Sequence, residues 1–137
     1  MSEHHPFPAA YFTTRFHAAT PPAQWPDAFA IVTAHNPGGE QRTPAENAAA
    51  DRELRAELAD GGCWFTRLTG FDPDSNHGEE GWAARLTVDE ARRLGRAFRQ
   101  LAVYYVENDV LTVHSSAEPG ASATVGRFSE RLDLPTA

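Results

Sequence analysis

Apolar and polar positions recur with two distinct periods along this chain, and the changes of period mark out its elements. Tyr11-Phe12-Thr13-Thr14-Arg15-Phe16-His17-Ala18 is rich in aromatic and β-branched residues and predicts a first strand. Ala19 to Asp27 is proline-rich with one hydrophobic anchor, Trp25, and reads as a connection. Phe29-Ala30-Ile31-Val32-Thr33 is a short apolar run, the pattern of a strand covered on both faces. From Pro44 to Asp60 the period lengthens, and Asn47, Leu54 and Leu58 fall on one helical face. Cys63 to Thr69 predicts a strand, with a polar loop from Gly70 to Gly78. Glu79 and Glu80 open a further strand, Gly81 to Leu86. Ala91, Leu94, Phe98 and Leu101 then recur at helical spacing around Gly95, which weakens the helix but permits close packing. Leu101 to Val106 and Val110 to His114 form a hairpin about Glu107-Asn108-Asp109.

Local signals fix where these elements start and stop. Thr43-Pro44-Ala45-Glu46 and Thr87-Val88-Asp89-Glu90 are capping boxes, the first with proline at the opening helical position. Gly61-Gly62 ends the first helix. Pro37 removes a backbone donor and biases Asn36 towards an extended conformation, while Gly38 and Gly39 permit positive φ and a close backbone approach.

The resulting order predicts an α+β single domain, an antiparallel or mixed sheet with two helices on one face. Its expected core is ferredoxin-like, βαββαβ, with an extra N-terminal strand and a C-terminal hairpin arm. Residues 1–10 are expected to be a flexible N-terminus, 11–114 the domain, and 115–137 a polar, mostly disordered tail on which only Val125 to Leu132 docks weakly.

The chain has 137 residues and a formal net charge of −7, which argues against a general binder of nucleic acid or anionic membrane. All 12 basic residues are arginine, and alanine is abundant, a composition typical of GC-rich bacterial genomes. Cys63 is the only cysteine, which excludes an intramolecular disulfide; beside Trp64 and Phe65 it reads as a structural thiol. No apolar run reaches the length of a membrane span, and Met-Ser-Glu-His-His-Pro lacks signal-peptide organisation, so a cytoplasmic location is expected.

The chemistry-bearing residues give no standard motif. Neither nucleotide-binding glycine fingerprint is present, nor a Gly-x-Ser-x-Gly elbow. His35, His77, Glu79, Glu80 and His114 carry metal-ligating groups, but at none of the known ligand spacings. Arg92, Arg96 and Arg99 line one side of the second helix with Arg93 beside them, either as a solvated face or as a contact for phosphates or an acidic partner. Asn36 and Asn47 are two amides beside a glycine-rich turn at a helix start, placed either to brace the loop or to bind a polar ligand. Gln100 reaches the same region if the helices pack side by side, giving an expected cluster of Asn36, Asn47, Gln100 and Glu80.

Thr33-Ala34-x-Asn36-Pro37-Gly38, then Glu46-Asn47, the acidic pair Glu79-Glu80, and Phe98-x-Gln100-x-Ala102-Val103 together resemble a bacterial family known as domain of unknown function 3293. The resemblance spans roughly Tyr11 to His114. It implies no activity, and it adds Thr33 and Glu46 to the candidate ligand-binding positions Asn36, Asn47, Glu80 and Gln100. The chain departs from the family pattern at His35, where an aromatic is usual, at Gly81-Trp82, where a small hydroxyl residue often follows the acid, and at Arg99, which replaces a glycine. The expected function is non-catalytic: binding of a small polar ligand or a protein partner, with a homodimer formed through sheet edges or the arginine helix. The rival is a small hydrolytic or nucleotide-processing enzyme using Glu80 with His35 or His77. No cofactor is indicated.

Overall fold

The computed structural model describes residues 7–134 except 76, 118 and 119. The expected looseness of residues 1–6 and of the last three residues lies outside the described residues.

The strongest sequence signals formed as expected. Strand β2 (Ala28–Thr33) is buried on both faces, and helix α2 (Pro44–Asp60) carries the complete capping box of Thr43 and Glu46. Helix α3 (Val88–Ala97) carries the second box. Strands β3 (Phe65–Phe71) and β4 (Gly78–Ala84) form a hairpin, and β5 (Ala102–Glu107) and β6 (Val110–Ser115) another. The tip of the second hairpin places Asn108 at φ 50° and Asp109 at φ 69°, residues that tolerate the left-handed region.

Two segments differ from the expectation. Tyr11 to Ala18 is not one strand: a helical turn, α1 (Ala10–Thr13), precedes a three-residue strand, β1 (Arg15–His17). The hydroxyls of Thr13 and Thr14 both donate to the Ala10 carbonyl, so local bonding overrides the β propensity of these residues. The segment expected as tail supplies β7 (Ser122–Arg127) and β8 (Leu132–Asp133). The single α+β domain therefore has an eight-stranded mixed sheet, larger than expected, in the order β7-β6-β5-β2-β4-β3-β1-β8. β8 runs parallel to β1, while every other neighbouring pair is antiparallel.

The edge strands β7 and β8 are joined by only Phe128–Arg131. A flat sheet of this size would separate its edges by roughly 34 Å. Four intervening residues span about 19 Å at most. The sheet must therefore curl, and its concave face holds a core of Phe16, Phe29, Ile31, Leu68, Val106 and Phe128. Trp25 stacks on Phe29 at 5.4 Å and meets Phe128 edge-on at 5.1 Å. Arg131 clasps the seam, donating to the carbonyls of Thr14 beside β1 and of Val125 in β7. Asp109 accepts from the backbone and hydroxyl of Ser129, tying the hairpin tip to the same linker.

Both long helices cover the convex face, where Leu54, Leu58 and Ala91 pack on Ala30, Val32, Trp82, Ala84 and Val103. Gly95 explains how closely α3 approaches: a Cβ there would lie 2.9 Å from the Val103 side chain. The arginines of α3 are also structural in part. Arg92 donates to the carbonyls of Ser115 and Ala117, and Arg96 to that of Ser116, holding the connection that leaves β6.

If the tail is integral to the core, Phe128→Ala should cost about 3–5 kcal/mol in urea unfolding. A loss below about 1 kcal/mol would mean that the linker does not hold the curl.

Candidate functional site

The loop after β2 is braced from inside. Asn36 adopts φ 49°, and the following turn places Gly38 and Gly39 at φ 65° and 78°. The Asn36 backbone N–H donates to Asn47 Oδ1 at 2.9 Å, and Asn47 Nδ2 donates back to Asn36 Oδ1 at 3.0 Å. That same oxygen accepts from the Arg42 backbone at 3.0 Å, and Asn36 Nδ2 donates to Glu79 Oε2 at 2.9 Å. The two amides thus hold the loop, the start of α2 and β4 together.

The C-terminus of α3 meets this loop from the other side. Gln100 N–H donates to the Gly95 carbonyl and Arg99 N–H to that of Arg96, the paired bonds of a Schellman cap. Such a cap needs a left-handed residue, a conformation that glycine adopts most readily, and Arg99 supplies it at φ 57°. The cap presents the Arg99 carbonyl to Gly38 N–H at 2.7 Å, and Gln100 Nε2 donates to the His35 carbonyl at 3.1 Å.

Strand alternation separates the acidic pair. Glu79 projects to the concave face, beside Asn36 and 3.7 Å from His77 Nε2. Glu80 projects to the convex face, exposed and 3.9 Å from Arg67, so it does not join Asn36, Asn47 and Gln100. The acid in that cluster is Glu79. The Glu80 backbone carbonyl instead accepts from the Thr33 hydroxyl at 2.7 Å, stapling β2 to β4. Glu46 stays in its cap, where bonds from Thr43 hold its carboxyl below the ordinary range.

On the concave face, the end of the sheet away from the aromatic core is open. A cavity of about 510 Å³ lies over Phe16, Ile31, Leu68 and Tyr104, roofed by Tyr11 of α1. It adjoins a more polar cavity of about 320 Å³, bordered by His35, Asn36 and Gln41. Both are lined by Tyr11, His77, Glu79, Gln100 and Leu101, so they form one groove with an apolar floor and a polar mouth. Tyr104 donates its hydroxyl to the Tyr11 carbonyl at 2.7 Å and fixes the roof; its burial pushes that phenol well above the ordinary range. Burial, with the Glu79 charge second, also raises the Tyr11 phenol. Leu101, expected on the helix face, is instead 58% exposed at the mouth.

A second polar group lies on the convex face and escaped the sequence reading. Asp51 is buried and accepts from both terminal nitrogens of Arg67 at 2.9 and 2.8 Å, and from Trp82 Nε1 at 3.1 Å. The Arg67 guanidinium lies 3.8 Å from the Trp82 ring centre. The signal was an acid on the helical stripe of Asn47, Leu54 and Leu58, a position that requires a partner from elsewhere. Among the described residues, no three His, Cys, Asp or Glu side chains converge as a metal site; His35, His77 and Glu79 border one cavity, whereas Glu80 and His114 do not line it. Burial pushes the Cys63 thiol up, away from nucleophilic use.

Residues 32–103, from β2 to the start of β5, match the family described as Protein of unknown function (DUF3293), and the chain belongs to it. The matched stretch contains Asn36, Asn47, Glu79 and Gln100 but leaves out Tyr11, Phe16 and Tyr104. No curated protein and no solved structure matches the chain. No helix among the described residues is long and apolar enough to cross a membrane.

In urea unfolding, Asn36→Ala should lose about 2–4 kcal/mol, because it strands several donors and acceptors and puts alanine at positive φ. Arg99→Gly should instead gain about 1 kcal/mol by relieving the left-handed cap. Equal and negligible effects would refute the bracing role.

Proposed function

We propose that the protein binds a small amphipathic molecule in the groove without transforming it, and that Asn36 and Asn47 hold the wall of that groove. The observation that carries this reading is the pair of adjoining cavities, about 510 and 320 Å³, on the concave sheet face. Their size suits a small organic ligand, and an apolar floor with a few polar groups at the mouth is the usual composition of such sites. Thr33 and Gln100 line the larger cavity and Asn36 the smaller, whereas Glu46 and Asn47 act by positioning the loop.

The enzymatic reading is supported less well. Glu80 lies on the opposite face from His77, and the Ser75 hydroxyl donates to Asp72 while accepting from the His77 backbone. We also read β2-α2-β3-β4-α3-β5 as the split βαβ unit expected from the sequence. Its order β5-β2-β4-β3 supports this, with the other strands extending it into the curl that creates the groove.

A fragment library screened by protein-observed NMR provides the test. Hits should shift resonances of Ile31, Leu68 and Tyr104, and should be lost in Ala102→Trp, which fills the larger cavity while keeping the dispersed spectrum of a folded protein. Hits that persist in that variant, or that map to the convex face, would refute the groove as the site.

A further inference from the structure

We infer that the molecule taken by this groove is an organic cation, an ammonium group joined to an apolar body; the inference rests on the groove being a binding site. Among the residues lining the two cavities, the acidic side chains are Asp72 and Glu79, and no arginine is present. The fold directs its guanidinium groups elsewhere: Arg67 to Asp51, Arg131 to the seam, and Arg42 to Glu40 and Glu46. The basic lining groups are the imidazoles of His35 and His77.

Glu79 is oriented for such a ligand. Asn36 Nδ2 occupies its Oε2, and among the described residues no donor reaches Oε1. Gln100 turns its amide N–H groups to the carbonyls of His35 and Phe98, which leaves its own carbonyl oxygen as a further acceptor at the mouth. Asp72 is held below the ordinary carboxyl range by bonds from Asp74 N–H and Ser75, and so keeps its negative charge. Behind these acceptors stand the rings of Tyr11 and Tyr104, 6.0 Å apart, with Phe16 edge-on to Tyr104 at 5.3 Å. Aromatic faces attract an ammonium group, and their apolar surface covers the body that carries it. A ligand anion would face the Glu79 carboxylate, which has no arginine beside it in the groove, and a neutral molecule would desolvate that carboxylate without replacing its water. The net charge of −7 adds a general attraction for cations.

The test uses the full chain and three probes sharing one phenylethyl body: phenethylamine, 2-phenylethanol and 3-phenylpropanoate. By NMR titration the amine should bind about tenfold tighter than the alcohol, with the carboxylate weaker than both. Glu79→Gln, which keeps an acceptor for Asn36, should remove that advantage and bring the amine and the alcohol to within about twofold of each other. An alcohol or carboxylate that matches the amine on the wild-type protein would overturn the cation and leave the groove standing. So would an amine indifferent to Glu79→Gln. If none of the three shifts Ile31, Leu68 or Tyr104, the groove fails as the site, and this inference fails with it.

Discussion

A short linker governs this structure. Phe128–Arg131 joins strands at opposite edges of an eight-stranded sheet, and that connection is too short for a flat sheet to accommodate. Curling brings two consequences. Aromatic side chains from distant parts of the chain, Trp25, Phe29 and Phe128 among them, meet on the concave face and fill one end of it. The other end is left open where Gly70, Gly81 and Ala102 stand beside Phe16, Leu68 and Tyr104, with α1 laid across as a roof. Core and groove are therefore two ends of the same surface, one packed and one open.

The polar wall of that groove depends on hydrogen bonds that no single element makes alone. The loop after β2 is held by α2 through Asn47, by β4 through Glu79 and by the cap of α3 through the Arg99 carbonyl. Three elements thus converge on Asn36 and Gly38. The family match covers this convergence and leaves out the roof.

Much of this was legible in the residues. The capping boxes, the doubly covered strand and the glycine turn are local signals, and each is built from groups close together in sequence. The roles of Glu79 and Glu80 were not legible, because which acid faces inward depends on strand register, and a shift of one residue exchanges the two faces. The signal for Asp51 was present as an acid on an apolar stripe, but its partner Arg67 comes from another strand. The tail misled for a related reason. Serine, glycine and proline dilute its apolar residues, and Phe128 gains its burial only when the two sheet edges meet.

The pairing of β1 with β8 also orders events in time. Phe16 lies opposite Leu132, so one edge of the sheet waits for a strand made near the opposite end of the described chain. The central hairpins and helices can assemble from nearby segments as they emerge during synthesis, but closure requires a long-range contact, the kind that slows folding. Until it forms, the aromatic residues of the concave face lack their Phe128 cover, and the nascent protein exposes the surface that will later become its core.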